Sequence, residues 1–286
     1  MAIRFAKGGE TMKRFLVTAF CIVWALGCLG AHGAEEAAKQ PDAMPRFREL
    51  AEAQWRQVFH DPCTGKWQDA WFLDGLKATV TNGSDGMTFT AGPTAWDDSC
   101  HAVLWTKESF KGDLKIEYEY TKTDTTNRQV TILYIQATGS GDAEHPKDIT
   151  AWSDLRTVPS MRLYFNHMNT YHISYAAFRQ KNDDSEEDYI RGRRYMPDAG
   201  KGLSGTELEN EYARTGLFKT GVPYRITVIK KGRELFMQIQ GDGRERLCHF
   251  RGEAFPPIVE GRIGLRHMYT RGARYRDFRV SVPAQP

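Results

Sequence analysis

The stretch GRIGLRHMYTRGARYRDFRV, residues 261–280, lies within two consecutive segments that alternate in the manner of β-strands, 261–268 and 274–282. It contains six arginines and no lysine. An arginine guanidinium binds a carboxylate through two parallel hydrogen bonds, whereas a lysine is a flexible point charge. This composition therefore favours a surface that binds an anionic, hydroxyl-rich ligand. The alternative is that these arginines pair with the chain's own Asp and Glu residues or lie solvated on an outer face.

The same alternation continues through most of the chain, in short apolar runs separated by turn residues. A short helix is predicted over residues 47–59. About a dozen strands without alternating helices indicate an all-β protein, a sandwich of two antiparallel sheets. The predicted strands are 77–81, 86–91, 101–106, 113–120, 129–137, 160–166, 171–177, 223–230, 233–240, 247–251, 261–268 and 274–282.

Residues 1–34 have the order of a secretory signal, with Met12-Lys13-Arg14 before an apolar run and small residues up to Ala34. This predicts a signal peptide with an upstream leader, and a mature protein that is secreted or periplasmic. The apolar run is short for a membrane span. Cys28 stands where a lipoprotein acceptor would, so a lipid anchor is an open alternative. Residues 35–60 are predicted to form an N-terminal extension.

The charge of the mature chain argues against one class of partner. Removing residues 1–34 takes away four basic residues and one acidic residue, which leaves 35 of each. A general attraction to nucleic acid is therefore not expected, and any affinity for anions must come from local clusters. Three cysteines remain, Cys63, Cys100 and Cys248, an odd number that permits one disulfide without selecting the pair.

Strand alternation sorts the side chains of three predicted strands into a core face and an opposite face. The core face takes Met161, Leu163, Phe165, Tyr171, Ile173, Tyr175, Ile263 and Leu265. The opposite face takes Arg162, Tyr164, Asn166, His172, Ser174, Arg262 and Arg266. Outward faces of such sheets are polar by default. Arginine, tyrosine, histidine and asparagine also bind carboxylates, stack on sugar rings and transfer protons, so this face predicts a ligand groove if the strands are neighbours.

Residues 179–217 interrupt the alternation with an acidic run at 183–188 and the sequence RGRRY at 191–195. They are predicted to form one long loop. The acidic run lacks the spaced oxygen ligands and central glycine of a calcium-binding loop. It therefore predicts a solvated tip, with which RGRRY could pair.

Several stretches together resemble the YesU-like bacterial family, domain of unknown function 1961, from about His60 to Val282. They are WFLDG (71–75), HAVLWTKESFKGDLKIEYEY (101–120), YIQATGSG (134–141), MRLYFNHMNTYHISYAAF (161–178), DYIRGRRYMP (188–197) and GRIGLRHMYTRGARYRDFRV (261–280). The resemblance implies a concanavalin A-like jelly roll of two antiparallel sheets, placed here over residues 61–286. It also implies a setting among secreted or cell-associated proteins that process acidic polysaccharides.

Within that setting we hypothesise a polysaccharide lyase that cleaves a uronate-containing polymer by β-elimination. Jelly-roll lyases use Arg, Gln, His and Tyr side chains on the concave sheet, and the corresponding acid–base pair here would be His172 as base and Tyr164 as acid, or the same two residues with the roles exchanged. Contacts with an acidic polysaccharide or oligosaccharide are assigned to Arg162, Asn166, Gln136, Arg193, Arg194, Arg266, His267 and Tyr269. No metal or cofactor is assigned, and a structural calcium ion is left open.

Two other functions remain in competition. A non-catalytic carbohydrate-binding module would use the same groove without turnover. A glycoside hydrolase would need two carboxyl groups close together, and Glu117 and Glu119 share one face of a predicted strand. Lys115 on that same face makes an ordinary solvated exterior the preferred interpretation of this pair.

Overall fold

The computed structural model describes residues 43–178, 187–197 and 202–284. The predicted signal peptide, Cys28 and most of the acidic run at 183–188 lie outside these ranges. The helices are α1 (Ala43–Glu52), α2 (Trp67–Ala70) and α3 (Met161–His167), with 3₁₀ helices η1 (Asp98–Cys100) and η2 (Ile149–Arg156). The strands are β1 (Trp55–Asp61), β2 (Trp71–Asp74), β3 (Thr79–Gly83), β4 (Gly86–Thr90), β5 (Ala102–Thr106), β6 (Phe110–Lys111), β7 (Leu114–Lys122), β8 (Thr131–Gly139), β9 (Met168–Phe178), β10 (Asp188–Tyr195), β11 (Glu207–Ala213), β12 (Pro223–Lys231), β13 (Glu234–Gly241), β14 (Arg244–Arg251), β15 (Glu260–His267) and β16 (Gly272–Pro283).

The strands form two antiparallel sheets that pack face to face. The front sheet has the order β2-β5-β15-β8-β9-β10-β11, and the back sheet has the order β14-β13-β12-β7-β16-β4-β3. β1 pairs with the C-terminal half of β16, and β6 pairs with the start of β15. A single pair, Glu209 with Arg251, joins β11 to β14. The all-β class and the two-sheet jelly roll predicted from the sequence are confirmed.

The core between the sheets follows from the alternation of the strands. Tyr171, Ile173 and Tyr175 of β9 are buried in it, as are Ile263 and Leu265 of β15. Successive side chains of a strand point to opposite faces, so His172 and Arg266 lie on the outer face of the front sheet. These two assignments from the sequence are confirmed.

The predicted strand at 160–166 is wrong, because these residues form helix α3. The segment Met161 to Met168 fits both periods, since apolar residues recur at alternate positions and also at helical spacing. Among the residues of α3, Tyr164 is buried, whereas the expected core residues Met161, Leu163 and Phe165 are only partly buried. They pack on the outer face of the front sheet and not in the core between the sheets.

The helix predicted at 47–59 is correct only in its first part. α1 ends at Glu52, and β1 begins at Trp55 and pairs with β16 along its whole length. Phe47 and Leu50 of α1 pack on Ile229 and Phe236 at the outer face of the back sheet. The segment after Glu52 becomes a strand because the edge of β16 supplies backbone partners that a local pattern does not reveal.

The long loop predicted for 179–217 also differs from the structure. β10 and β11 form an antiparallel pair within it. Their exposed face is charged, with Arg191 opposite Glu211 and Arg193 opposite Glu207. The core side of β10 carries Gly192 and Arg194 beside Ile190, so the alternation has too few apolar members to be recognised as a strand. RGRRY therefore pairs in part with β11.

Among the described residues, no helix is long and apolar enough to cross a membrane.

Candidate functional site

The outer face of the front sheet carries two neighbouring rows of side chains in register, because directly opposed residues of antiparallel strands share a face. The first row contains Trp105, Gly264, Tyr134, His172 and Arg193. The second contains Val103, Arg266, Ile132, Ser174 and Arg191. Gly264 has a steric reason, since a Cβ there would lie 2.5 Å from the indole of Trp105. His172 and Arg266 thus lie in neighbouring rows on the outer face of the front sheet, the face that the sequence predicts for them.

This face is not an open groove, because residues 149–167, η2 and α3 with their linker, lie across it. We call this segment the cover. Trp152 and Tyr164 of the cover form one buried cluster with Val103, Trp105 and Tyr134 of the sheet. The rings of Tyr164, Trp105 and Tyr134 stack nearly parallel. The apolar side chains of the cover thus occupy the space that a sugar would need above these strands.

Tyr164 is 0% exposed and belongs to a buried ion-pair network. Its hydroxyl donates to Oδ2 of Asp74 at 2.9 Å, and Nε1 of Trp105 donates to the same oxygen at 2.7 Å. Arg156 completes the network with its Nε at 2.6 Å from Oδ2. Burial and then the charge of Asp74 raise the pKa of Tyr164 well above its usual value. The phenol is therefore a neutral donor to a carboxylate of its own chain.

His172 is 3% exposed, and both of its ring nitrogens have partners in the chain. Nδ1 lies 2.6 Å from the hydroxyl of Tyr195, and Nε2 lies 2.5 Å from Oγ of Ser174. Burial, followed by Arg193 and Arg266, lowers the pKa of His172 well below its usual value. The imidazole is therefore neutral in neutral solution, with one nitrogen donating and the other accepting.

Arg266 is a fully buried cation without a carboxylate partner among the described residues. Its Nη2 donates to the carbonyl of Pro159 at 2.7 Å and lies 3.1 Å from Nδ1 of His101. The guanidinium carbon lies 4.4 Å from the ring centroid of Tyr164, whereas Nε and Nη1 have no hydrogen-bond partner. Burial and then Arg266 lower the pKa of His101 to about 4.

Three predicted contact residues lie away from this face. A bulge in β8 puts Gln136 at φ +55°, and its Nε2 donates to the carbonyls of Phe110 and Gly112. Arg194 points to the opposite face, with its guanidinium carbon 5.6 Å from the ring of Tyr171. His267 has core parity and stacks on Phe89 at 4.4 Å. As placed, these side chains do not converge with His172.

The other predicted contact residues are separated from one another. Arg162 is exposed on the cover, and Asn166 is partly buried near its end. Arg193 lies in the row of His172, where its Nη1 is 2.7 Å from Oε1 of Glu207. Tyr269 lies beyond the end of β15 and stacks on His101 at 4.9 Å. The roles that the sequence suggests for all these residues stay predictions.

Most arginines of the stretch 261–280 form ion pairs within the chain. The pairs are Arg262 with Asp148 at 3.2 Å, Arg271 with Asp124 at 3.2 Å, Arg276 with Glu119 at 3.6 Å and Arg279 with Asp277 at 2.6 Å. For these four, the alternative interpretation as internal partners of Asp and Glu is the one that holds. The arginine content of this stretch therefore does not by itself mark a ligand site.

The carboxylate pair, potential metal ligands and cysteines lie outside this face or form no site. Glu117 and Glu119 lie on the outer face of the back sheet beside Lys115 and Arg276. No group of three or more potential metal ligands occurs in the described ranges. Cys63, Cys100 and Cys248 all carry buried thiols, so the one disulfide that their number permits is not formed.

An open cleft of about 870 Å³ lies at one end of the sandwich, which we call the loop end. The loop end consists of loops 91–101, 123–130, 214–222 and 268–271. Backbone hydrogen bonds hold these loops together, from Ala91 to Arg271, from Thr270 to Gly92 and from Gly221 to Lys122. A cleft of this size is within the range of ligand sites, roughly 300–1,000 Å³.

The cleft combines two phenylalanines, Phe178 and Phe218, with many hydrogen-bonding groups. Its lining includes Phe178, Lys122, Thr125, Thr126, Asn127, Glu187, Asp188, Arg214, Lys219 and Thr220. Part of this lining is fixed, since Lys122 Nζ donates to the carbonyl of Asp124 at 2.7 Å and Asp188 accepts two bonds from Thr215. Arg214 differs, because its side chain is 72% exposed and its Nη2 contacts Glu187 at 3.3 Å.

Sequence reasoning missed the cleft because its walls come from loops that are distant along the chain. Arg214 falls in the predicted loop 179–217 and Lys219 just after it, and neither belongs to a motif. The threonines and Asn127 at 125–127 look like ordinary turn residues. Only the polar, hydroxyl-rich composition of 121–127 was a signal, and such composition is common in loops.

The family model for Domain of unknown function (DUF1961) matches residues 68–280. The chain belongs to this family. The resemblance found in the sequence is thereby confirmed, and the family itself assigns no reaction. Among curated proteins, no match to the chain was found.

Several solved structures are similar to this chain. A Bacillus subtilis protein of unknown function with a galectin-like fold is 20% identical, with a TM-score of 0.61, and covers 81% of this chain and 100% of its own. The carbohydrate-binding module CBM66 from B. subtilis is 14% identical, covers 74% and 96%, and has a TM-score of 0.44. A legume lectin-like domain from Entamoeba histolytica is 9% identical, covers 82% and 100%, and has a TM-score of 0.49. At such identities the likeness concerns the fold alone.

Proposed function

We propose that this protein binds an acidic polysaccharide in the loop-end cleft, outside the cytoplasm, without cleaving it. The observation that carries the proposal is the lining of the cleft. A sugar presents a C–H face that packs on a ring such as Phe178 and a rim of hydroxyls that need donors and acceptors. Thr125, Thr126 and Asn127 provide such groups at the surface.

The proposed preference for an acidic sugar rests on one exposed cation of the cleft, Arg214. Both oxygens of Asp188 accept hydrogen bonds from Thr215, which engages this carboxylate within the chain but leaves its negative charge. Arg214, in contrast, pairs with Glu187 but keeps 72% of its side chain exposed. A guanidinium binds a carboxylate bidentately and loses little hydration on doing so. Arg214 is therefore the side chain that we expect to contact a uronate.

Affinity electrophoresis and calorimetry with polygalacturonate, alginate and neutral dextran test this proposal. We expect the acidic polymers to bind and dextran not to bind. Arg214→Ala should weaken binding about tenfold or more, the scale of a hydrogen bond to a charged group. Arg214→Lys should recover only part of the affinity, because it keeps the charge but not the planar fork.

Arg251→Ala is the matched control, since Arg251 is also an exposed arginine paired with a glutamate, Glu209, at 2.6 Å. It lies on β14, away from the lining residues of the cleft. The polysaccharide affinity of Arg251→Ala should equal that of the parent protein. If Arg214→Ala binds as well as the parent, the cleft is not the site, and if no polysaccharide binds, the proposed function is wrong.

A polysaccharide lyase is the second candidate, and the buried guanidinium of Arg266 is the observation that favours it. A lyase must neutralise a carboxylate, and Arg266 has two unpaired nitrogens on the same face as His172. As placed, however, the hydroxyl of Tyr164 and both nitrogens of His172 are buried and engaged. Turnover would therefore require the cover to leave the front sheet.

Ultraviolet absorbance of the unsaturated uronate product decides between the two candidates. We expect no product from polygalacturonate or alginate. We also expect Tyr164→Phe to lower stability by about 1–3 kcal/mol, because Asp74 loses a donor, while polysaccharide affinity stays unchanged. Product formation by the parent protein, reduced about 10²-fold by Tyr164→Phe, would establish the lyase instead.

A further inference from the structure

Trp96 is the largest apolar side chain that the described chain leaves exposed, at 70%. It lies in loop 91–101 with φ +66°. A bulky residue in this left-handed region is strained and persists only where the surrounding structure holds it. The backbone of Trp96 is strained and its indole is exposed, so the side chain does not stabilise the core. The strained position of this ring therefore needs another explanation.

The indole contacts one member of a stacked pair of rings. Its centroid lies 5.7 Å from the ring of Tyr269, which in turn lies 4.9 Å from the ring of His101. Asp97, the next residue, accepts bonds from the backbone and hydroxyl of Ser99 and from Lys77 at 2.6 Å. The exposed ring is thus preorganised, which reduces the entropy that a ligand would otherwise have to offset.

Tyr269 also connects Trp96 with the cleft. Nε2 of Gln129 donates to the hydroxyl of Tyr269 at 2.8 Å, and Gln129 ends the loop whose residues 125–127 line the cleft. Arg271 contacts that loop as well, since its Nη1 donates to the carbonyl of Arg128 at 3.1 Å. Trp96 and the cleft are therefore two parts of one hydrogen-bonded end of the sandwich.

We infer that Trp96 is a second contact for the polysaccharide, on which one sugar ring of a chain packs while another part of that chain occupies the cleft. This inference rests on the proposed function. The surroundings favour a sugar over an apolar partner. The exposed Leu76 and Trp96 are each followed in sequence by a member of the ion pair of Lys77 with Asp97, so charged groups adjoin both apolar side chains. A stable protein or membrane contact needs a larger continuous patch.

A length series tests the inference with oligosaccharides of polygalacturonate and alginate, from disaccharide to octasaccharide. We expect affinity to rise with length in the parent protein. Trp96→Ala should lower the affinity for the polymers and the longest oligosaccharides about tenfold or more, as expected of an aromatic anchor, and leave the disaccharides unchanged. Trp96→Phe should retain most of the affinity. Val259→Ala is the control, since the side chain of Val259 is also exposed. Its carbonyl accepts a hydrogen bond from the backbone of Gly112, next to β6 and away from the loop end.

Each other outcome has a definite meaning. If Arg214→Ala weakens binding and Trp96→Ala does not, the inference fails and the proposed function stands. If Trp96→Ala weakens disaccharides and polymers equally, there is one contact site and not two, which also overturns the inference. If the parent protein self-associates in sedimentation experiments and Trp96→Ala does not, the ring is an interface between copies of the chain. If no polymer binds to the parent protein, both proposals fail together.

Discussion

Replacing Asp74 with alanine should lower the free energy of unfolding by about 3–5 kcal/mol, the cost of leaving a buried charge without its partner. Arg156 is fully buried, and Asp74 is its carboxylate partner. The same carboxylate also accepts from Tyr164 and Trp105. The fully buried Arg266 lies against Tyr164, so the substitution leaves two guanidinium groups near one another without a nearby anion.

Urea unfolding measures this loss, and two variants act as controls. Glu119→Ala removes an exposed ion pair with Arg276 and should cost less than about 1 kcal/mol. Asp74→Leu combined with Arg156→Met removes both charges and should recover much of the stability lost in Asp74→Ala, because the desolvation cost disappears with them. A loss in Asp74→Ala as small as that in Glu119→Ala would show that the network does not anchor the cover.

Mild acid should destabilise the folded protein through its buried histidines. Burial lowers the pKa of His101 to about 4 and that of His267 to about 3, and it lowers the pKa of His172 well below the usual value. The unfolded chain binds protons at these residues near pH 6.5, whereas the folded chain does not. Stability is therefore full above about pH 6.5 and decreases as the pH falls toward the folded pKa values.

The expected slope is at most about 1.4 kcal/mol per pH unit for each histidine, or about 4 kcal/mol per unit for the three together. Burial raises the pKa of Asp74, whose protonation opposes the trend in more acidic solution. Urea unfolding at about pH 7 and about pH 5 measures the slope. His101→Asn should reduce it by about one third. Equal stability at both pH values would mean that these imidazoles are not buried in the neutral form.

The sequence predicts those parts of the fold whose signal is local. Period-two alternation in β9 and β15 places His172 and Arg266 on one face, because Ile173 and Leu265 must enter the core. Turn residues between strands define most hairpins, and the family resemblance supplies the jelly roll. These features depend on residues that are close together in the chain.

The parts that fail depend on tertiary contacts. Residues 161–167 satisfy both the strand period and the helix period, and their packing over Trp105 and Tyr134 selects the helix. A bulge turns Gln136 away from the face that strict alternation assigns to it. The cleft and the contact of Trp96 with Tyr269 arise from loops that meet only in the folded chain. The same reason explains why the predicted groove is occupied by the cover.

A crystal structure with an oligosaccharide of the polysaccharide that binds in the panel decides whether the loop-end cleft is the binding site. We expect density for sugar rings in the loop-end cleft, with a uronate carboxylate on Arg214 and another ring on Trp96, while the cover stays on the front sheet. Sugar density between the cover and the front sheet, against His172 and Arg266, would show that the front sheet and not the loop-end cleft binds the polysaccharide.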